Sequence, residues 1–492
     1  MRGGASAPDR TPVLVGIGTV TRHEEDHQRA LEPMDLMLEA VAAAGADAVG
    51  PTVLRGVQYI GVPAGRWSYR NPAREIARAI GASNTITALA TVGVLQQTLI
   101  GEACTRVARG DLHTALVVGA DAGFRLLRAQ IAGASLPERQ QCDDPDELLA
   151  PAEELRHPVE LRAGMKMPVG LYAIMESALR ARSGLALSQH RDRLADLGAR
   201  FSRIAAANPH AWQRTPLSAE QIRDASERNP MQAFPYTRAH CSTWNVDQAA
   251  ALLLCSAARA RELNIDPAKW IYPVASTESN HMVPVSARAD LATCRGAAVA
   301  GRAALAAGGL TAQDLDLVDL YSCFPLAVEL YAEALELPLS RNLTVTGGMP
   351  FAGGPYNNYV LQATCRVAEL LREGPARNAL VSCVSGVLTK QAFGLWSTDP
   401  GPQGFVHLDV TDEVAKQVRA VEVLHDYSGE ATVAGYTVLH GRGQQPRGVA
   451  LMDTPHGKRA LCTSDDAALV VRMQQEEFLN RTMQIEHNVL VS

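Results

Sequence analysis

Short β-branched and aliphatic runs alternate with alanine-rich amphipathic stretches along most of this chain, the pattern of an α/β fold whose sheets are covered by helices. The spacing predicts strands over Pro12–Val20, Gly56–Val62, Thr85–Thr91 and Thr114–Gly119, and helices over Met34–Ala44, Pro72–Ile80 and Val94–Ala108. The pattern then returns, with helices over Ala297–Ala307 and Asn357–Leu371 and strands over Leu315–Ser322 and Asn378–Ser385. Glu39–Gly45 and Ala303–Gly309 each end a helix before a strand, and Cys104–Gly110 and Cys365–Leu371 each lead into one. Because the order of elements repeats as well as their composition, the chain reads as an internal duplication.

Two stretches break the pattern. From about Phe124 to His240 charges thicken, as in Cys142–Glu147, and helical periods follow that carry Met165, Met167 and Met175. This reads as an inserted loop domain, its methionines either filling core gaps or lining a groove for a long ligand. From about Asp409 the runs Val421–Tyr427, Ala431–Leu439, Gly448–Asp453 and Lys458–Thr463 are separated by turns bearing Gly, Pro or Asp. They predict a small antiparallel barrel or sandwich.

Composition narrows the function more than the fold. The 492 residues exceed what one core supports. They divide into an N-terminal half, 1–270, containing the insert at about 124–240, a C-terminal half, 271–408, and the β region, 409–492. A net charge of -6 gives no global basic field for nucleic acid or an anionic membrane. No apolar run is long enough to span a bilayer, and Met1-Arg2-Gly3-Gly4 lacks the apolar core of a secretory signal. Nine dispersed cysteines without metal-ligand spacing fit reduced thiols in a cytoplasm and predict no metal.

Four motifs carry a family resemblance. They are Asp314–Pro325, which contains Tyr321-Ser322-Cys323-Phe324; Leu343–Tyr359, which contains Gly353-Gly354-Pro355; Val246–Ala251; and Ala206–Trp212. The chain resembles the thiolase superfamily over nearly its whole length. Within it the resemblance is to the sterol-carrier-protein thiolase branch and its bacterial thiolase-like proteins of type 1, which carry an extra C-terminal β domain. The resemblance implies a duplicated thiolase fold, two βαβαβαββ halves in a layered α/β/α/β/α arrangement, with an inserted loop domain and a C-terminal oligonucleotide-binding (OB)-like barrel. It also implies acyl-CoA or CoA as substrate or ligand, no tightly bound cofactor, a homodimer or monomer, and a protein partner in some relatives.

A thiolase needs a nucleophilic cysteine at a helix N-terminus, a second cysteine as acid and base, and a histidine and an asparagine-held water for developing oxyanions. Gly93 stands near the nucleophile position, Tyr321 where the family has asparagine or histidine, and Gly354 where it has the histidine of Gly-His-Pro. Cys383, in Cys383-Val384-Ser385-Gly386, matches the acid/base cysteine; it also reads as a small buried hydrophobe at a strand end. The candidate catalytic residues are therefore Cys383, Tyr321 and Cys323. The candidate substrate-binding residues are Gly353, Gly354, Gly386 and Ser385, with His281 as a spare imidazole. Gly353–Pro355 are expected to open a helix and offer backbone amides to an anion or carbonyl.

Three functions follow: an acyltransferase-like enzyme, a retro-aldolase cleaving a β-hydroxyacyl-CoA with Tyr321 as acid or base, and a non-catalytic CoA-thioester binder. The β region does not read as a nucleic-acid binder, because Arg442, Arg447, Lys458 and Arg459 are matched by acidic residues and only Tyr427, Tyr436 and Phe478 supply rings.

Overall fold

The computed structural model describes residues 7–491, so Met1-Arg2-Gly3-Gly4 lies outside the described residues. Strands β1 (Pro12–Arg22), β2 (Tyr59–Pro63), β3 (Ile86–Ala90), β4 (Thr114–Ala122) and β5 (Glu147–Leu149) precede β6 (Met231–Ala233) and β7 (Tyr236–Thr237). With β8 (Asp247–Ser256) they build a six-stranded sheet of order β1-β8-β4-β2-β3-β5, from which β6 and β7 are absent. Next come β9 (Tyr272–Ser279), β10 (Leu317–Asp319), β11 (Asn378–Ser385), β12 (Lys390–Ser397) and β13 (Val406–Asp409). They form a second sheet of order β10-β11-β12-β9-β13.

The duplication expected from the sequence is visible in this topology. Along β2-β4-β8-β1 the successive pairings are parallel, antiparallel and antiparallel. The run β10-β11-β12-β9 repeats them in the same order. Two helices, Gln96–Arg109 and Tyr359–Glu373, lie between the sheets and touch both. Pro33–Ala48 covers the outside of the first sheet and Arg295–Gly308 the outside of the second. The largest apolar core runs through the shared middle layer, where Leu99, Ala103, Val360 and Leu361 are buried against strands of both sheets. The halves therefore fold around common packing.

The β region closes into a barrel. Strands β14 (Gly429–Leu439), β15 (Arg447–Asp453), β16 (Arg459–Ser464), β17 (Thr482–Glu486) and β18 (Val489–Val491) pair in the ring β14-β15-β16-β18-β17-β14. The β16–β18 pairing is parallel and a helix, Ala467–Gln475, links β16 to β17. This is an OB-like arrangement. Its core holds Tyr436 and Phe478, so those rings face inward. Arg447, Lys458 and Arg459 pair with Asp465, Glu422 and Asp453 at 2.7–2.8 Å.

Several boundaries differ from the sequence reading. Val421–Tyr427 makes no strand: Val421 donates to Ala287, Leu424 to Arg459, and only Val423 forms a bridge, so its backbone is divided between two neighbours. Leu315–Ser322 is a strand only over Leu317–Asp319. The insert is also tied to the barrel. β6 pairs with β14, and the Pro168–Arg182 helix lies on β14, with the Ser177 hydroxyl accepting from the Tyr436 N–H at 2.9 Å. Met165 and Met175 are core residues there, whereas Met167 is exposed. No helix among the described residues is long and apolar enough to cross a membrane.

Candidate functional site

The two central helices present their N-termini to the C-terminal ends of β10 and β11, and most of the predicted residues meet there. Asp319, at the end of β10, is fully buried and organises the loops. Its Oδ2 accepts from the Thr344 and Thr346 hydroxyls at 2.8 and 3.0 Å and from the Val345 and Thr346 N–H groups at 3.0 and 3.1 Å. Its Oδ1 accepts from the Tyr359 hydroxyl at 2.8 Å. Five donors satisfy the buried carboxylate and fix the loop before Gly347.

Tyr321 follows this anchor. Its backbone N–H donates to the Ser382 hydroxyl at 2.8 Å, and its ring meets that of Tyr359 edge-on, with centroids 5.7 Å apart. The phenol is buried, which raises its pKa well above the ordinary 10.0. It stays neutral, a hydrogen-bond donor and not a base. Cys323 lies beside the Tyr172 hydroxyl, and burial pushes its thiol up to about 12.

Cys383, near the end of β11, has no exposed surface. The backbone N–H groups of Gln97 and Gln96 at the start of the Gln96–Arg109 helix are directed at its sulfur, while its carbonyl accepts from the Tyr331 hydroxyl at 3.1 Å. Burial raises the thiol to about 12 against the pull of those two amides. Relative to the ordinary 9.0 this is about 4 kcal/mol against the thiolate. A helix N-terminus typically returns about 0.3–2 kcal/mol. Burial wins, and Cys383 is a thiol.

The missing nucleophile has a steric counterpart. Gly93 has φ +106°, and a Cβ placed on it would come within 2.8 Å of Pro151 and 3.1 Å of Leu155. The segment after β5 thus fills the space a side chain there would need. The helix N-cap is Leu95, whose side chain offers no polar atom.

The glycine loop corrects one expectation. The helix begins at Tyr359, so Gly353–Pro355 form a preceding turn. The Gly354 N–H is already bound to the Thr243 carbonyl at 2.9 Å, and a Cβ on Gly354 would stand 2.1 Å from the Ser242 hydroxyl. Gly353 packs on Gln248, whose Nε2 donates to the Ala352 carbonyl at 2.9 Å. These glycines permit close packing; the Gly354 amide is not free for a ligand. Ser385 and Gly386 lie where β11 turns into β12, and the Ser385 carbonyl accepts from Thr389 at 3.1 Å. His281 is apart from this cluster, lining a cavity of about 350 Å³ with Arg288, Cys294 and Gln391.

Other residues were not singled out by the motifs. Tyr172 and Tyr331 are fully buried neutral phenols around Cys323 and Cys383. The Gln96 and Gln97 amides act through backbone, which leaves no signature in residue identity. A buried group also joins the insert to the helix after Cys323. Glu176 and His190 of the insert, with Nε2 2.8 Å from Oε1, meet Glu329 of the Pro325–Ala334 helix. Arg193 holds Glu329 at 3.0 Å and Tyr236 donates to Glu176.

Comparisons with known proteins agree with this architecture. No family model matches the chain. An acetyl-CoA acetyltransferase of Methanothermobacter thermautotrophicus is 28% identical over 196 residues, 40% of this chain and 47% of that protein. The match thus spans about half the length of that relative. The crystal structure of a monomeric SCP2-thiolase-like protein type 1 from Mycobacterium smegmatis is 27% identical with TM-score 0.82, covering 99% of both chains. An Ltp2–ChsH2(DUF35) aldolase matches at TM-score 0.60 and 18% identity, over 80% of this chain and 99% of that chain. Human mitochondrial 3-ketoacyl-CoA thiolase in complex with CoA matches at TM-score 0.56 and 16% identity, over 80% and 99%. The last two share the fold.

Proposed function

We propose, from the thiolase fold with its appended barrel as premise, that this chain binds a CoA thioester and acts on it without forming an acyl-enzyme. The observation that carries this reading is the pairing of a crowded Gly93 with a protonated, buried Cys383. Acyl transfer by a thiolate needs the opposite arrangement, an open helix N-terminus bearing an ionised sulfur.

What the site retains is a set of neutral donors. In this reading the Tyr321 phenol, the Cys383 thiol and the Gln96 and Gln97 backbone amides would be the donors to a thioester carbonyl as it acquires negative charge. Such donors stabilise an enolate oxygen, each worth roughly 3–4 kcal/mol in a dry site. The reaction this suits is cleavage of the Cα–Cβ bond of a β-hydroxyacyl thioester, a retro-aldol step. The bond's electron pair passes to the thioester as an enolate and the proton lost by the β-hydroxyl ends on the enolate carbon, so that the products are a shortened acyl-CoA and a carbonyl compound. Similarity to an aldolase containing a DUF35 subunit supports the choice, with the barrel here supplied by the same chain.

A second reading, a CoA-thioester binder without turnover, is favoured by the burial of the centre: Tyr321 is 8% exposed and Cys383 0%. Incubation with a panel of β-hydroxyacyl-CoAs separates the two. Release of a carbonyl product supports the first; retention of intact thioester at stoichiometric occupancy supports the second.

A further inference from the structure

Next to the N-terminus of the Gln96–Arg109 helix lies a cavity of about 470 Å³, lined by Val94, Leu149, Pro151, Glu153, Glu278 and Lys390, among others. Lys390 opens β12 and pairs in register with Ser385, so its side chain stands on the same face of the sheet as that of Cys383. It is 3% exposed. Its Nζ donates to the Gly93 carbonyl at 3.1 Å, and no carboxylate among the described residues comes within ion-pair reach of it. An ammonium group has three donors. One is used, on a neutral acceptor, and the amine borders the cavity.

This is an unusual position for lysine in this chain. Only five of its 46 basic residues are lysine, and Lys166 and Lys416 are exposed. Burial lowers the proton affinity of the Lys390 amine, with Glu153 and Glu278 pulling the other way. Unlike arginine, a buried lysine sheds its proton readily and then becomes a nucleophile.

The cavity also selects its ligand. Glu278 lines it, held by the Thr98 hydroxyl at 2.5 Å and by Asn280 at 3.2 Å, and Glu153 stands at its rim. Two carboxylates to one amine disfavour an anion, while Val94, Leu149 and Pro151 give apolar walls. A neutral carbonyl compound with a short apolar body fits both facts.

We propose that Lys390 is a catalytic amine that captures the carbonyl carbon of an aldehyde or ketone in this cavity as a protonated imine. The ammonium first gives a proton to a cavity carboxylate. The amine lone pair forms the N–C bond and the carbonyl π pair moves to oxygen, which takes a proton from the nitrogen to give the carbinolamine. The carboxylic acid returns its proton to that oxygen, the C–O bond breaks, and water leaves. The products are one water and an iminium carrying the single positive charge of the original ammonium. No oxidant, reductant or cofactor enters. The inference goes beyond the thioester reading and does not need a thioester to bind.

The test is reductive trapping on the full chain. The protein is incubated with butanone or acetaldehyde and sodium cyanoborohydride near pH 7, then peptide-mapped by mass spectrometry, with pyruvate as an anionic probe. The expected result is one N-alkyl adduct per chain with butanone, located on Lys390 ahead of Lys166 and Lys416, weaker with pyruvate, and lost in Lys390→Arg. The ranking of lysines within the wild-type protein does not depend on how the variant folds. Adducts confined to the exposed lysines, no adduct at all, or an undiminished adduct mass in Lys390→Arg would each overturn the proposal.

Discussion

The sulfur of Cys383 faces the backbone N–H of Gln97, so a candidate cysteine of the second half sits on a helix N-terminus of the first. That contact joins two sheets in which the same strand order repeats, and it does so inside a fully buried layer. Burial, not the helix terminus, decides the protonation state of the sulfur.

Alkylation kinetics test this directly. Cys142 is exposed, whereas Cys383 is raised to about 12 from an ordinary 9.0. Each unit removes about tenfold of thiolate. Iodoacetamide at pH 7 is expected to modify Cys142 at least about 1,000-fold faster than Cys383, which labels only after unfolding. Comparable rates would contradict the burial argument.

Asp319 supplies a stability prediction. Asp319→Ala leaves five donors without their acceptor, and the expected loss is about 3–5 kcal/mol in a urea melt. Tyr359→Phe removes one of the five and is expected to cost about 1 kcal/mol. A loss below 1 kcal/mol for Asp319→Ala would show that the loop is held by something else.

The Glu176–His190–Glu329 group gives a pH dependence. Burial pushes Glu176 to about 7 and Glu329 to about 8, the two carboxyls being neighbours, and pulls His190 to about 4 and nearby His240 to about 3. A carboxyl raised on folding stabilises below its unfolded pKa of 4.5, and that stability is lost as pH rises through the folded value. The depressed imidazoles act oppositely up to 6.5, where the unfolded chain releases its protons. The two effects offset each other below 6.5; above it only the carboxyls remain. Stability is expected to fall between about pH 6.5 and 8, by at most about 1.4 kcal/mol per unit for each proton. Glu329→Gln should flatten that slope. A melting temperature that rises across this interval would reverse the assignment.

The edge of the first sheet bears on assembly. β5 pairs with β3 through Ala88–Glu147, Leu89–Leu148 and Ala90–Leu149, and Asp146 binds Thr87 and Arg74 at 2.8 Å. The edge of β3 is thus occupied by the chain itself. Light scattering behind gel filtration is expected to give the mass of one chain, and Asp146→Ala is expected to promote concentration-dependent association. A stable dimer of the wild-type protein would show that another surface pairs.

Much of this was legible in the sequence, for identifiable reasons. The Pro72–Ile80 helix and the Asn378–Ser385 strand match their predicted bounds because local periodicity and the flanking turns agree. Tyr321, Cys323 and Cys383 came together because each sits beside a strand or helix terminus that the motifs identify. The Gly354 amide was misjudged because its acceptor, Thr243, is remote in sequence. Glu176, His190 and Glu329 were invisible for the same reason: their proximity depends on how the insert packs against the second half. Lys390 lies outside all four motifs. Its rarity among the basic residues was the signal available, and its burial was not.

Thioester chemistry in the proposed reading proceeds through neutral donors and no acyl-enzyme. The direct measurement is mass spectrometry of the protein and products after incubation with a β-hydroxyacyl-CoA. The expected result is a shortened acyl-CoA and a carbonyl product, unmodified Cys383, and turnover reduced at least tenfold in Tyr321→Phe. An acyl adduct mapped to Cys383 would contradict it and restore a thiolate mechanism.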